Sequence, residues 1–111
     1  MKLLVVVIYN PELLEDILPV LVELDVRGGV AVDAESMTRL MSEEIPLFAG
    51  LRSLVTQPHS RHKVIIGLTD REKILEDLEG MLKEIGIDFS RSGTGYALLL
   101  PVEGYRESDD E

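Results

Sequence analysis

Three stretches of the chain, Leu3–Tyr9, Val64–Leu68 and Tyr96–Val102, are apolar at nearly every odd and even position alike. In the first, Leu3, Val5, Val7 and Tyr9 would face one side of a strand and Leu4, Val6 and Ile8 the other. A strand with one face in water alternates apolar with polar residues, whereas a continuous apolar run marks burial on both faces. The pattern supplies only two long amphipathic helices, and two helices cover one face of a four-stranded sheet. The second face is therefore expected to be covered by another copy of the same chain.

The elements follow in a definite order. After the first strand, Asn10 and Pro11 form a helix start, since Asn caps and Pro suits the first turn. Leu13, Leu14, Ile17, Leu18, Leu21 and Leu24 then recur at helical spacing, with Pro19 predicting a kink. Arg27-Gly28-Gly29 reads as a turn into a short second strand beginning at Val30–Val32. Ser36–Glu44 reads as one or two helical turns. Ile45–Val55 is too hydrophobic for a disordered linker, and Leu47, Phe48, Leu51, Leu54 and Val55 have the spacing of one buried helical stripe. Gln57–Ser60 is a turn before a third strand, Lys63–Leu68. Thr69 is the expected cap of a second long helix, with Asp70 and Glu72 in its first turn. That helix presents Ile74, Leu75, Leu78, Met81, Leu82 and Ile85 and stops at Gly86. Gly93-Thr94-Gly95 leads into the last strand. The order β-α-β, β-α-β predicts an α+β fold, the ferredoxin-like split βαβ (βαββαβ) sandwich, with a long and partly helical connection between the second and third strands.

Bulk properties narrow the function classes. A chain of 111 residues makes one domain, expected over residues 1–105, with 106–111 as a solvated, disordered acidic tail. The absence of cysteine excludes disulfides, thiolate metal sites and thiol nucleophiles. A formal net charge of −10 repels nucleic-acid backbones and anionic membrane surfaces, so neither is an expected partner. The N-terminal apolar run is too short to span a membrane and no small-residue cleavage site follows it, so a cytoplasmic protein without membrane insertion is expected.

Two segments resemble the PII-type nitrogen-regulatory signalling proteins and their PII-like relatives. Glu23–Val32, with Arg27-Gly28-Gly29 before Val30-Ala31-Val32, is similar to the family segment in which a glycine turn opens an apolar strand. Gly93-Thr94-Gly95-Tyr96, followed by an apolar run ending in Leu100-Pro101-Val102-Glu103, is similar to the family's glycine loop and final strand. The resemblance implies a signal-transducing homotrimer whose sheets face inward. Adenine nucleotides (ATP, ADP or AMP) would act as effectors in the intersubunit clefts, and Ala34–Arg61 would contact a regulated partner protein. It assigns Gly28, Gly29, Gly93, Thr94, Gly95 and Arg106 to effector binding. Tyr96 stands where the family has a phosphate-binding lysine, Thr94 replaces its aspartate, and Arg106 is the one basic residue after Glu103.

The remaining candidates read more plainly. Arg39, Arg52, His59, Arg61, His62, Lys63 and Arg91 could line an anion cleft, but solvated charge is the ordinary reading. His59 and His62 lack further ligands at metal-binding spacing, and Glu43-Glu44 has no nearby nucleophile, so neither a metal nor catalysis is expected. The alternative function is an interaction module, or an amino-acid-binding regulatory domain of the same fold, with its ligand beside Arg27-Gly28-Gly29.

Overall fold

The computed structural model describes residues 1–44 and 61–108. It is an α+β structure with a four-stranded antiparallel sheet and three α-helices among the described residues. The order in sequence is β1 (Lys2–Ile8), α1 (Leu14–Glu23), β2 (Arg27–Glu35), α2 (Met37–Glu44), β3 (Arg61–Thr69), α3 (Ile74–Glu84) and β4 (Gly95–Pro101). The order across the sheet is β2-β3-β1-β4. The strand that opens the chain thus lies inside the sheet, and β2 and β4 are its edges.

Local chemistry sets the boundaries. Asn10 Oδ1 accepts from the Glu12 N–H at 3.0 Å, and Pro11 opens a single 3-10 turn over Pro11–Leu13 that runs into α1. Pro19 sits inside α1, whose buried stripe is Ile17, Val20 and Leu21. Asp25, at φ 60, turns the chain from α1 toward β2. Ser36 Oγ accepts from the Arg39 N–H at 3.1 Å at the start of α2. At the end of α3 the Ile87 N–H reaches back to the Leu82 carbonyl at 2.9 Å and Gly86 takes φ +87, the left-handed stop that glycine favours.

Two expectations are corrected. The second strand is not a short one beginning at Val30. It starts at Arg27, because Gly28 and Gly29 form a bulge in the β2–β3 ladder, between Arg27 paired with Leu68 and Val30 paired with Ile66. Nor does Thr69 cap the second long helix. Thr69 is the last residue of β3, 1% exposed, and its hydroxyl accepts from the Arg71 N–H at 3.1 Å. The helix begins four residues later behind Lys73, without a side-chain cap, so Glu76 and Asp77 rather than Asp70 and Glu72 occupy its first turn. The helical stripe expected over Ile45–Val55 and the turn at Gln57–Ser60 lie outside the described residues.

The strand faces divide cleanly. Leu4, Val6, Ile8 and Ile65 are buried with Ile17, Val20, Leu21 and Leu24 from α1 and its C-terminus, and with Ile74, Leu78 and Leu82 of α3. Both long helices therefore cover this one face. The ladder register arranges the other face as rungs of directly opposed residues. Leu98, Val5, Ile66 and Val30 form one rung, and Tyr96, Val7, Val64 and Val32 the next. Leu100, Leu3 and Leu68 form a third, which ends at Arg27. Leu98 is 37% exposed, Leu100 47% and Val30 56%. The second face is apolar, and no helix among the described residues covers it.

Candidate functional site

The six residues assigned to effector binding fall into two groups at opposite ends of the sheet. Gly28 and Gly29 form the bulge at the start of β2, beside the end of β3. Arg106 belongs to the same end, where the chain leaves β4: the Val102 N–H donates to the Met1 carbonyl at 3.3 Å. The neighbouring Tyr105 lies within electrostatic reach of Arg27, and its phenol is pushed above its usual pKa by partial burial and by Glu107. Gly93, Thr94 and Gly95 lie at the other end, where Gly95 pairs with Ile8. The two groups are separated by the length of β1, roughly 20 Å at the usual strand rise. One small molecule does not touch both within a single chain.

The Gly28 end is charged in both signs. Arg27 Nη1 donates to Asp70 Oδ2 at 3.0 Å, and the Met1 amine lies 3.3 Å from Asp70 Oδ1. These hydrogen bonds, from Arg27 first and then the amine, hold the Asp70 carboxyl below the usual carboxylate range. Leu24, Asp25, Arg27, Thr69, Asp70 and Arg71 line a cleft of about 310 Å³ at this end. Arg71 is engaged by Asp77 at 2.7 Å.

The Gly93 end is built from backbone and rings. Gly93 takes φ +86 with open space where a side chain would stand, and the Tyr9 N–H donates to the Thr94 carbonyl at 3.0 Å, tying the loop to the end of β1. A shallow cleft of about 260 Å³ beside it is lined by Leu75, Glu79, Phe89, Gly95, Tyr96 and Ala97. On the open sheet face the same end carries three rings that sequence reasoning did not bring together. The Tyr9 and His62 centroids are 4.8 Å apart, and Tyr9 and Tyr96 meet edge to face at 6.4 Å. His62 is 8% exposed, and burial pushes its imidazole below its ordinary pKa. The signal was available: Tyr9 ends one strand and Tyr96 begins its antiparallel neighbour.

Other candidates separate from both ends. Asp33 pairs with Lys63, whose hydrogen bond and charge keep the Asp33 carboxyl low. Arg39 and Arg61 both engage Glu35, at 3.1 Å and 3.8 Å. Arg52, His59 and most of the segment expected to contact a partner lie outside the described residues. Among the described residues there is no group of three or more His, Asp or Glu placed to hold a metal ion. No described helix is long and apolar enough to cross a membrane. No protein-family model matches the chain, and comparison with curated proteins yields no significant match.

Proposed function

We propose that the chain is a PII-like regulatory module of the ferredoxin-like plan, working as a homotrimer that senses a small metabolite between subunits. The observation that carries this reading is the open apolar face. Its three rungs span roughly 400 Å² at ordinary strand spacing and rise. A continuous apolar patch of that size matches the largest found on a typical monomer, and such patches are often functional. Burying it is worth about 10 kcal/mol per protomer before association costs of the same order. Self-association is thus favourable once contacts at the rim add to it.

The division of the candidate residues supports the same reading. Gly28, Gly29 and Arg106 at one end and Gly93–Gly95 at the other are two half-sites, completed when one protomer's half meets a neighbour's. The strand order β2-β3-β1-β4 is compatible with the ferredoxin-like plan, in which α1 and α3 would be the crossovers. In this reading an effector, an adenine nucleotide by resemblance, selects one conformation of Ala34–Arg61 and so changes affinity for a regulated protein. Sedimentation equilibrium tests the assembly and should give three times the chain mass. A monomer would overturn the proposal.

The second reading, an amino-acid-binding regulatory dimer, is favoured by one observation. The cleft beside Arg27-Gly28-Gly29 places Arg27 and Arg71 near Asp25 and Asp70, charges of both signs that suit a zwitterion. A mass of two chains, with heat on titration of amino acids and none with ATP, ADP, AMP or cyclic dinucleotides, would decide for it.

A further inference from the structure

We infer that the exposed flank of α1 around Leu18 and Val22 is a docking surface for a basic amphipathic helix of a partner protein. α1 commits Ile17, Val20 and Leu21 to the core. Leu18 and Val22, one turn apart, are left 38% and 72% exposed. Residues four apart on a helix form one ridge, and such a ridge seats in the groove of another helix. The acids around the ridge set the charge that this helix must carry. Between Tyr9 and Arg27 the chain holds Glu12, Glu15, Asp16, Glu23 and Asp25 and no Lys or Arg. None of the five enters an ion pair among the described residues, whereas Asp33, Glu35, Asp70, Asp77 and Glu79 are each matched by a base.

Two backbone features strengthen the attraction for a cation. α1 ends on Glu23 with no basic residue in its last turn, so Glu23 and Asp25 add to the negative end of the helix dipole instead of offsetting it. Pro19 lies inside α1 and has no N–H to give the Glu15 carbonyl, which leaves that acceptor toward the outer surface. A Lys or Arg side chain from outside answers both. The bases that share a cleft with Asp25 are already engaged, Arg27 by Asp70 and Arg71 by Asp77. The same charge argues against other occupants. A second copy would bring like acids face to face, and anionic lipid or nucleic acid is repelled. α1 covers the sheet face opposite the rungs of Leu98 and Tyr96. Assembly through those rungs leaves the flank accessible, and the inference holds with or without an effector.

Fluorescence anisotropy tests this with a labelled Lys/Leu peptide of about five helical turns in amphipathic order, set against the same composition scrambled. The ordered peptide should bind the intact protein about tenfold or more tightly than the scrambled one. Val22→Ser, a surface change for the fold, should weaken it about fivefold or more. Glu15→Gln, Glu23→Gln and Asp25→Asn together should weaken it about tenfold and flatten its salt dependence. Glu72→Gln, Glu76→Gln and Glu84→Gln remove the same charge in and just before α3, and should leave binding within about threefold. Equal weakening by the two charge sets would overturn the inference, since binding would then follow net charge alone. Equal binding of the scrambled peptide, or no binding of either, would overturn it too. A sedimentation mass changed by Val22→Ser alone would assign the flank to a second copy, and co-sedimentation with phosphatidylcholine vesicles would assign it to a lipid surface. Either result rejects the partner helix.

Discussion

A Cβ on Gly95 would stand 1.9 Å from the carbonyl oxygen of Val7, on the neighbouring strand. Gly95 also takes φ +138, a backbone conformation that L side chains rarely adopt. Backbone, not a movable side chain, blocks the space, so accommodation requires β4 to shift away from β1. Gly95→Ala should destabilise the fold by about 3 kcal/mol or more, combining steric overlap with backbone strain. Gly93→Ala meets open space and carries only the positive-φ penalty, about 1 kcal/mol. Urea unfolding of the two variants checks the ranking, and equal losses would contradict it.

The open face makes a separate prediction. Leu98 sits on β4 opposite Val5, 37% exposed, and contributes nothing to the core between sheet and helices. In a monomer Leu98→Glu is a surface change, within about 0.5 kcal/mol. At a buried interface between copies it places a charge in an apolar contact and dissociates the assembly. Light scattering should show the mass of the variant fall to one chain while its far-ultraviolet circular dichroism is retained. An unchanged mass would remove this face from the interface.

Much of the fold was legible because apolar periodicity names each long element. Leu4, Val6 and Ile8 alternate with Leu3, Val5 and Val7, so a strand apolar on both sides could be read directly, and the helix stripes of α1 and α3 were equally plain. What resisted was punctuation. Gly28-Gly29 looks like a turn, yet a bulge lets paired glycines stay within a strand. Thr69 before Asp70 looks like a helix cap, yet the hydroxyl serves the short turn at Arg71. The glycine motifs were readable as local signals, but their separation by the length of β1 follows only from the register. Tyr9 and Tyr96 could be read as neighbours from the strand ends, but His62 joins them only through the register.

Burial ranks the helix positions sharply. Leu78 is fully buried between α3 and the sheet, whereas Val22 on α1 is 72% exposed. Leu78→Ala leaves a cavity among tightly packed neighbours and should cost about 2–5 kcal/mol. Val22→Ala removes two exposed methyl groups and raises helix propensity, so its effect should stay within about 0.5 kcal/mol. Thermal unfolding followed at 222 nm checks both. A comparable loss at Val22 would mean that this helix face is covered by a neighbour.

His62 gives the fold a dependence on acid. Its imidazole is buried against Tyr9, and desolvation lowers its pKa in the folded state below the ordinary value of 6.5. The unfolded chain, with its imidazole in water, therefore binds a proton at higher pH than the folded one. Stability rises with pH wherever the unfolded state binds more protons. The contribution is thus absent as a penalty above about pH 7, where both states are neutral. The penalty develops as pH falls below 6.5 toward the lowered folded value, across a range where Asp33, Asp70 and Asp88 remain ionised because their carboxyls are held low. His62→Gln, which cannot take up a proton, should flatten the unfolding free energy between pH 7 and 5 relative to the parent. Urea midpoints measured across that interval decide it, and parallel curves for the two proteins would show that another group carries the dependence.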